Sequence, residues 1–250
     1  MKKPQNIVPK LYPVGTVIVF LLIWELAVRL FQIPDWLLPA PSSVLLVLMR
    51  NWKPLWYHSQ RTMLEAVFGL LLAAITGFAV GIATSQWQPL KKVLYPLLVI
   101  SQTIPLIVLA PLLAIWLGFG LLPKLIVVIL SCFFPIAFNT VVGLDGADKE
   151  MIKLVKSMGA SAAQTFKLVK LPQAWPTIFG GLKVSASYCV MAAVVAEWMG
   201  CERGLGIYLL SALHAFKTPA VFAGIIIIAL VSLLLFALVE AISKLAPPTN

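Results

Sequence analysis

Charged residues are scarce in this chain. Asp, Glu, Lys and Arg make up 11% of its 250 residues and 61% are hydrophobic, whereas soluble domains are about 25% charged. His58 and His214 stand alone, and the three cysteines show neither a pairing pattern nor metal-site spacing, so we expect no metal centre and no histidine-based catalysis. The phosphate loop Gly-x-x-x-x-Gly-Lys-Ser/Thr is absent, so we do not expect an enzyme that hydrolyses ATP.

Long apolar runs dominate the sequence instead. A helix that crosses a bilayer needs about 20 predominantly apolar residues. Six runs reach this length: about Pro13–Phe31, Met63–Ser85, Val93–Leu117, Leu121–Leu144, Trp175–Met199 and Ala220–Leu245. They are continuous rather than alternating, which favours helices over a β-barrel. The sequence therefore predicts an all-α integral membrane protein with about six transmembrane helices, organised as a single domain over residues 1–250.

The positive charge follows the loops between these runs. With the N-terminus in the cytoplasm, the inner segments hold Lys2, Lys3, Lys10, Lys91, Lys92, Lys149, Lys153, Lys156, Lys167, Lys170 and Lys244, and the outer segments hold Arg29, Arg50, Lys53, Arg61, Lys124, Arg203 and Lys217. This inside excess predicts cytoplasmic N- and C-termini. It also explains the net charge of +10 without a nucleic-acid partner; the expected surroundings are a lipid bilayer.

One long polar stretch, Asp145–Pro172, interrupts the apolar runs and falls on the cytoplasmic side. Asp148 is placed to cap a helix that runs to Met158, and Gly159 follows it as a left-handed C-terminal cap. One face of that helix is apolar at helical spacing and consists of Met151, Leu154, Val155 and Met158. Ser161 and Gln164 predict a capping box for a second helix, which we expect Pro172 to end. The apolar face suits either a groove in another protein or an anionic lipid surface.

Two of the apolar runs carry further signals. In the second, small residues recur at every fourth position and predict a close helix-packing face: Gly69, Ala73, Gly77, Gly81 and Ser85. In the third, prolines free backbone carbonyls, which protein or a wet cavity must satisfy. This pattern suggests that Ser101, Gln102 and Thr103 line a pathway; the alternative is a kinked packing helix with locally bonded hydroxyls.

The polar stretch resembles the cytoplasmic signature of the membrane-spanning permeases of bacterial ABC importers. That signature reads Glu-Ala-Ala, three residues, Gly, nine residues, an aliphatic residue, any residue and Leu-Pro. Here Lys153-Leu154-Val155 replaces the triplet, and Gly159 and Val169-Lys170-Leu171-Pro172 keep the spacing. The resemblance spans nearly the whole chain and is closest to the nitrate, sulfonate and taurine branch. Further matching stretches are Leu38–Ser42, Ile104-Pro105, Pro111-Leu112, Trp116–Gly120, Phe134-Pro135, Asn139, Val195–Glu197 and Gly204–Gly206.

This resemblance implies a type I importer in the bacterial cytoplasmic membrane. Two permeases, expected as a homodimer, form the path for a small polar solute, which an external binding protein delivers. Separate cytoplasmic ATPases bind the ATP, so this chain needs no cofactor. The implied ATPase-coupling residues are Met151, Lys153, Leu154, Val155, Met158, Gly159, Ala160, Leu171 and Pro172. Sulfonates, taurine, nitrate, bicarbonate and thiamine pyrimidine precursors are the candidate solutes. The alternative function is a secondary transporter that works without an ATPase.

Acidic residues in the spans are functional candidates by default. Glu25, Glu65 and Glu240 each have a basic residue four positions away, so we expect ion pairs within their helices. Glu197 has no such neighbour. Together with Asn139, it is a candidate for the substrate pathway, or for a structural or gating contact near the external mouth.

Overall fold

The computed structural model describes residues 8–101 and 103–245. Within these residues the regular elements are helical. They are α1 Val8–Leu30, α2 Pro41–Arg50, α3 Trp52–Gln86, α4 Gln88–Ser101, α5 Leu106–Leu117, α6 Leu121–Asp145, α7 Lys149–Ser157, α8 Ala162–Thr165, a π-helical turn at Phe166–Lys170, α9 Leu171–Glu197, α10 Leu205–His214 and α11 Thr218–Ser243. The all-α prediction is confirmed.

Several helices are long enough to cross a membrane. Among the described residues, α3, the continuous stretch Ala162–Glu197, α6 and α11 are long and apolar enough, and α4 with α5 makes a fifth if the pair is one span. α1 covers most of the first predicted apolar run. The described chain also separates into two compact units. The smaller comprises the described residues up to Trp56 with Tyr208–Ile226, and the larger comprises Tyr57–Ile207 with the described residues from Ile227 onward.

In the smaller unit, the side chain of Glu25 connects α1 to α2. Glu25 pairs with Arg29 at 2.6 Å, as the spacing predicts. It also accepts hydrogen bonds from the Ser42 backbone N–H at 3.0 Å and from the Ser42 hydroxyl at 2.7 Å. These bonds satisfy an orphan N–H in the first turn of α2. The Glu25 carboxylate therefore fixes α2 against α1.

The small-residue face of α3 packs within the chain, against α6. All five of its members are buried: Gly69, Ala73, Gly77, Gly81 and Ser85. A Cβ added at Gly69 would lie 2.4 Å from Cγ1 of Val128, and one at Gly81 would lie 2.9 Å from the Ala137 carbonyl oxygen. The two backbones approach this closely because no side chain separates them.

Small residues likewise allow α6 and α9 to pack closely. A Cβ at Gly181 would lie 2.5 Å from the Pro135 carbonyl oxygen, and one at Gly143 would lie 3.0 Å from that of Ala174. Ser185 donates to the Cys132 carbonyl at 2.8 Å. α3, α6 and α9 thus form the core of the larger unit.

The third predicted run is not one helix, which corrects the sequence interpretation. α4 and α5 meet at an angle of 100°. The break lies just before Pro105, which has φ −66° and ψ 116° and forms the N-cap of α5. Proline lacks an N–H and disfavours helical geometry in the residue before it, so α4 ends and α5 begins anew.

Candidate functional site

The polar stretch folds as two capped helical segments. The Asp148 side chain accepts from the N–H groups of Glu150 at 2.8 Å and Met151 at 3.3 Å, as predicted for the cap of α7. The apolar face of α7 points away from the protein: the exposed fractions are 43% for Met151, 56% for Leu154 and 78% for Met158. Val155, the fourth member of this face, is half-buried. α7 therefore presents an apolar surface formed mainly by Met151, Leu154 and Met158.

Gly159 makes the turn after α7. Its φ of +85° is left-handed, as predicted. The Gly159 N–H donates to the Lys156 carbonyl, and the Ala160 N–H donates to the Val155 carbonyl, both at 3.0 Å. These two bonds complete a Schellman motif. A Cβ at Gly159 would meet no atom within 4 Å, so the turn stands open on the surface.

The second segment joins directly to a transmembrane helix. Ser161 and Gln164 form the predicted capping box of α8, and the π-helical turn leads from there into α9. Pro172 does not end the helix, contrary to the prediction. It lies in the first turn of α9, and the π-turn directly before it takes up the irregularity that a missing N–H causes.

The base of the polar stretch is held by side chains from three helices. Asp145 accepts from Ser85 at 2.8 Å and pairs with Lys91. The Asp148 N–H donates to Oε1 of Gln173 in α9 at 2.8 Å. The stretch is therefore tied to α3, α4 and α9 where it enters and leaves the bundle.

Glu197 lies in a second polar cluster, at the other end of α9. It is fully buried and accepts from the Thr62 hydroxyl and from the Gly206 N–H, each at 2.6 Å. Thr62 in turn accepts from the Leu205 N–H at 2.8 Å. The carboxylate thus holds the start of α10 against α3, which agrees with the structural role rather than with substrate contact.

The same loop is fixed by residues that sequence reasoning did not select. Arg203 donates to the Tyr57 carbonyl at 2.8 Å and to Gln60 at 2.6 Å. Its guanidinium lies 3.8 Å from the centre of the Tyr57 ring. The Gly204 N–H donates to Nδ1 of His58 at 3.1 Å. These contacts join positions more than 140 apart in the chain, so no local pattern predicts them. The only sequence signal for this loop was the match of Gly204–Gly206 to the permease family.

Glu65 and Glu240 form the predicted ion pairs and also gain a second cation each. Glu65 is fully buried and bonds Arg61 at 2.9 Å and Lys124 at 3.2 Å. Glu240 bonds Lys244 at 3.3 Å and Lys183 at 2.8 Å. Each acid therefore connects two helices, which the i, i+4 spacing alone does not reveal.

The structure places the candidate pathway residues in different surroundings, and only one of those that it describes lines a cavity. A cavity of about 530 Å³ lies beside the break between α4 and α5, and Ser101 lines it. Gln102 lies outside the described residues, and the Thr103 hydroxyl donates to the Ile100 carbonyl. Asn139 lies at the crossing of α6 and α9, where it donates to the Pro135 carbonyl at 2.7 Å. Asn139 and Glu197 are not among the residues that line the cavity, because helix packing occupies both.

We expect Glu197→Gln to lower the free energy of unfolding by about 1 to 3 kcal/mol, because one of two buried donors then faces an amide NH₂ in place of an acceptor. The check is the midpoint of thermal denaturation in detergent. Glu202→Gln is the matched control, since Glu202 is exposed five residues further on. Equal midpoints for the two variants would contradict the structural role of Glu197.

Comparison with known proteins places these features in context. Residues 69–246 match the family described as binding-protein-dependent transport system inner membrane component. A probable ABC transporter permease protein of Haemophilus influenzae is 34% identical over 226 residues, which cover 90% of this chain and 92% of the relative. The formylaminopyrimidine transport permease protein ThiX of Halalkalibacterium halodurans is 32% identical over 232 residues, 92% of each. An inward-facing MetNI methionine ABC transporter structure matches with a TM-score of 0.64 and 17% identity, covering 78% of this chain and 99% of that one.

Proposed function

Because the chain belongs to the binding-protein-dependent transport system inner membrane components, the permease subunits of ABC importers, we propose that two identical copies form the path through a bacterial cytoplasmic membrane. The ATPase of such an importer is a separate subunit, and a binding protein delivers the solute. In this proposal the ATPase binds all the ATP, and the permease contributes the path and the docking surface.

The proposed orientation puts the N- and C-termini and the stretch Asp145–Pro172 in the cytoplasm. The excess of lysine and arginine in the corresponding loops supports it. The polar stretch then faces the compartment that holds ATP. The Glu197 cluster, at the opposite end of α9, lies at the external mouth.

The exposed apolar face of α7, next to the open Gly159 turn, carries the proposal. Met151, Leu154 and Met158 are too exposed for a core role, and a short amphipathic helix of this kind fits a hydrophobic groove of a partner. We assign the ATPase contact to this face and its flanks: Met151, Lys153, Leu154, Val155, Met158, Gly159, Ala160, Leu171 and Pro172. Lys153, which stands in place of the Glu of the Glu-Ala-Ala triplet, pairs with Glu150 at 2.9 Å on the exposed surface of α7.

For the solute, the similarity to a formylaminopyrimidine permease over 92% of the chain supports a pyrimidine precursor of thiamine. Sulfonates, taurine, nitrate and bicarbonate are the competing solutes from the sequence. The external binding protein performs most of the selection in such an importer.

The test of this function is affinity purification of the tagged chain from its native membrane in mild detergent. We expect a Walker-type ATPase to co-purify with it, and to be lost from Gly159→Arg but not from the wild type. Recovery of the intact chain without an ATPase, under conditions that preserve other ABC complexes, would favour a secondary transporter instead.

A further inference from the structure

The 530 Å³ cavity beside the broken helix has the features of a solute site. Its size falls within the range of about 300 to 1,000 Å³ that is usual for small-molecule pockets. Ser101 at the end of α4 and Leu106 at the start of α5 both line it. Non-helical backbone at membrane depth is tolerated where it is buried in protein or lines a cavity, and discontinuous helices form the solute sites of other transporters.

The chemistry of the lining is almost wholly apolar. Among the described residues, nine of the eleven that line the cavity are hydrophobic, and the other two are Ser101 and Ser131. The Ser101 hydroxyl donates to the Leu98 carbonyl at 2.8 Å. The Ser131 hydroxyl has no hydrogen bond to any described residue, so it is available to a ligand. Phe133 adds an aromatic surface to the wall.

No charged side chain is among the described residues of this lining. Near the lining in sequence, Lys91 pairs with Asp145 and Lys124 pairs with Glu65. Lys92 is exposed and is not among the residues that line the cavity. An anion that entered the cavity would lose its hydration without gaining a counter-charge, which costs several kcal/mol. An uncharged ring would instead gain about 25 cal/mol for each Å² of apolar surface that it buries.

We propose that this cavity holds the solute during transport, and that the solute is an uncharged, ring-containing molecule with a few hydrogen-bonding groups. Ser131 meets one of those groups, and Phe133 and the leucines enclose the ring. This inference rests on the proposed importer function and narrows its solute: it favours a neutral pyrimidine over sulfonates, nitrate, bicarbonate and zwitterionic taurine.

The experiment uses the assembled importer with its ATPase and binding protein in proteoliposomes that contain ATP. The probes are radiolabelled formylaminopyrimidine, taurine and an aliphatic sulfonate. We expect ATP-dependent uptake of the pyrimidine to exceed that of either other probe at least tenfold. Leu130→Trp, which fills the cavity from α6, should reduce this uptake at least tenfold. Leu122→Trp is the control, because Leu122 is an exposed leucine of the same helix that does not line the cavity.

Three results would overturn the inference while leaving the importer function intact. They are faster ATP-driven uptake of taurine or the sulfonate, absence of pyrimidine uptake although the binding protein stimulates ATP hydrolysis, and wild-type pyrimidine uptake by Leu130→Trp. Failure of the chain to assemble with any ATPase would instead contradict the importer function itself. Ser131→Ala adds a milder check, since we expect a severalfold fall in uptake with no loss of ATPase binding.

Discussion

Gly159→Arg is expected to reduce ATP-driven uptake at least tenfold while leaving the protein folded in the membrane. The left-handed φ of +85° costs a residue with a side chain about 1 to 2 kcal/mol, which is small against the stability of the whole fold. Because a Cβ here meets no atom of the chain within 4 Å, the arginine extends outward from the turn. It therefore obstructs the surface that we assign to the ATPase.

Two further substitutions separate strain from obstruction. Gly159→Asn tolerates the left-handed conformation and adds little bulk, so we expect it to retain most of the uptake. Gly159→Ala adds the strain with almost no bulk, so it should also retain most of the uptake if obstruction is the cause. Uptake in proteoliposomes, measured with the amount of ATPase bound, gives the comparison. A Gly159→Arg protein that transports at the wild-type rate would refute the docking assignment.

The second large effect is expected at Gly206, where an added methyl group has no space. A Cβ would lie 2.3 Å from the Val194 carbonyl oxygen and 2.8 Å from Cβ of Glu197. α10 would have to move away from α9, and the 2.6 Å bond from the Gly206 N–H to Glu197 would lengthen or break. Overpacking and a lost bond to a buried carboxylate together predict a loss of about 3 to 5 kcal/mol for Gly206→Ala.

The measurement is thermal denaturation in detergent, followed by the amount of protein that remains monodisperse after heating. We expect the midpoint to fall by about 10 °C. Gly180→Ala is the matched control, because Gly180 is helical and a Cβ there meets nothing within 4 Å; alanine should leave the midpoint unchanged or raise it slightly. If both variants denature at the wild-type temperature, the close approach at Gly206 is wrong.

Local features of the polar stretch were predictable from sequence because their causes lie within a few residues. Asp148 reaches N–H groups two and three positions on, and Ser161 and Gln164 cap each other across one turn. Such bonds form whatever the rest of the fold does. The exception is Pro172, where the rule that proline ends a helix was wrong because the π-turn before it depends on a longer context.

Contacts between distant segments could not be predicted in the same way. Thr62 and Glu197 are 135 positions apart, and nothing in the local pattern of either residue names the other. The small-residue face of α3 was visible as a pattern, but its partner, α6, was not. The prolines of the third apolar run predicted a disturbance of the helix near Pro105. They did not distinguish a kink from the 100° bend that the structure has.

The helix is continuous from α8 through the π-turn into α9, so the polar stretch is rigidly connected to the far end of α9. α9 alone has 27 residues and is therefore about 40 Å long. A tilt of about 5° at the end next to Gly159 displaces the opposite end by about 3 to 4 Å over that length. Glu197 lies at that opposite end, where it accepts hydrogen bonds from Thr62 and from Gly206. In the proposed importer, a push on the polar stretch would therefore move the side chains that hold the start of α10 against α3.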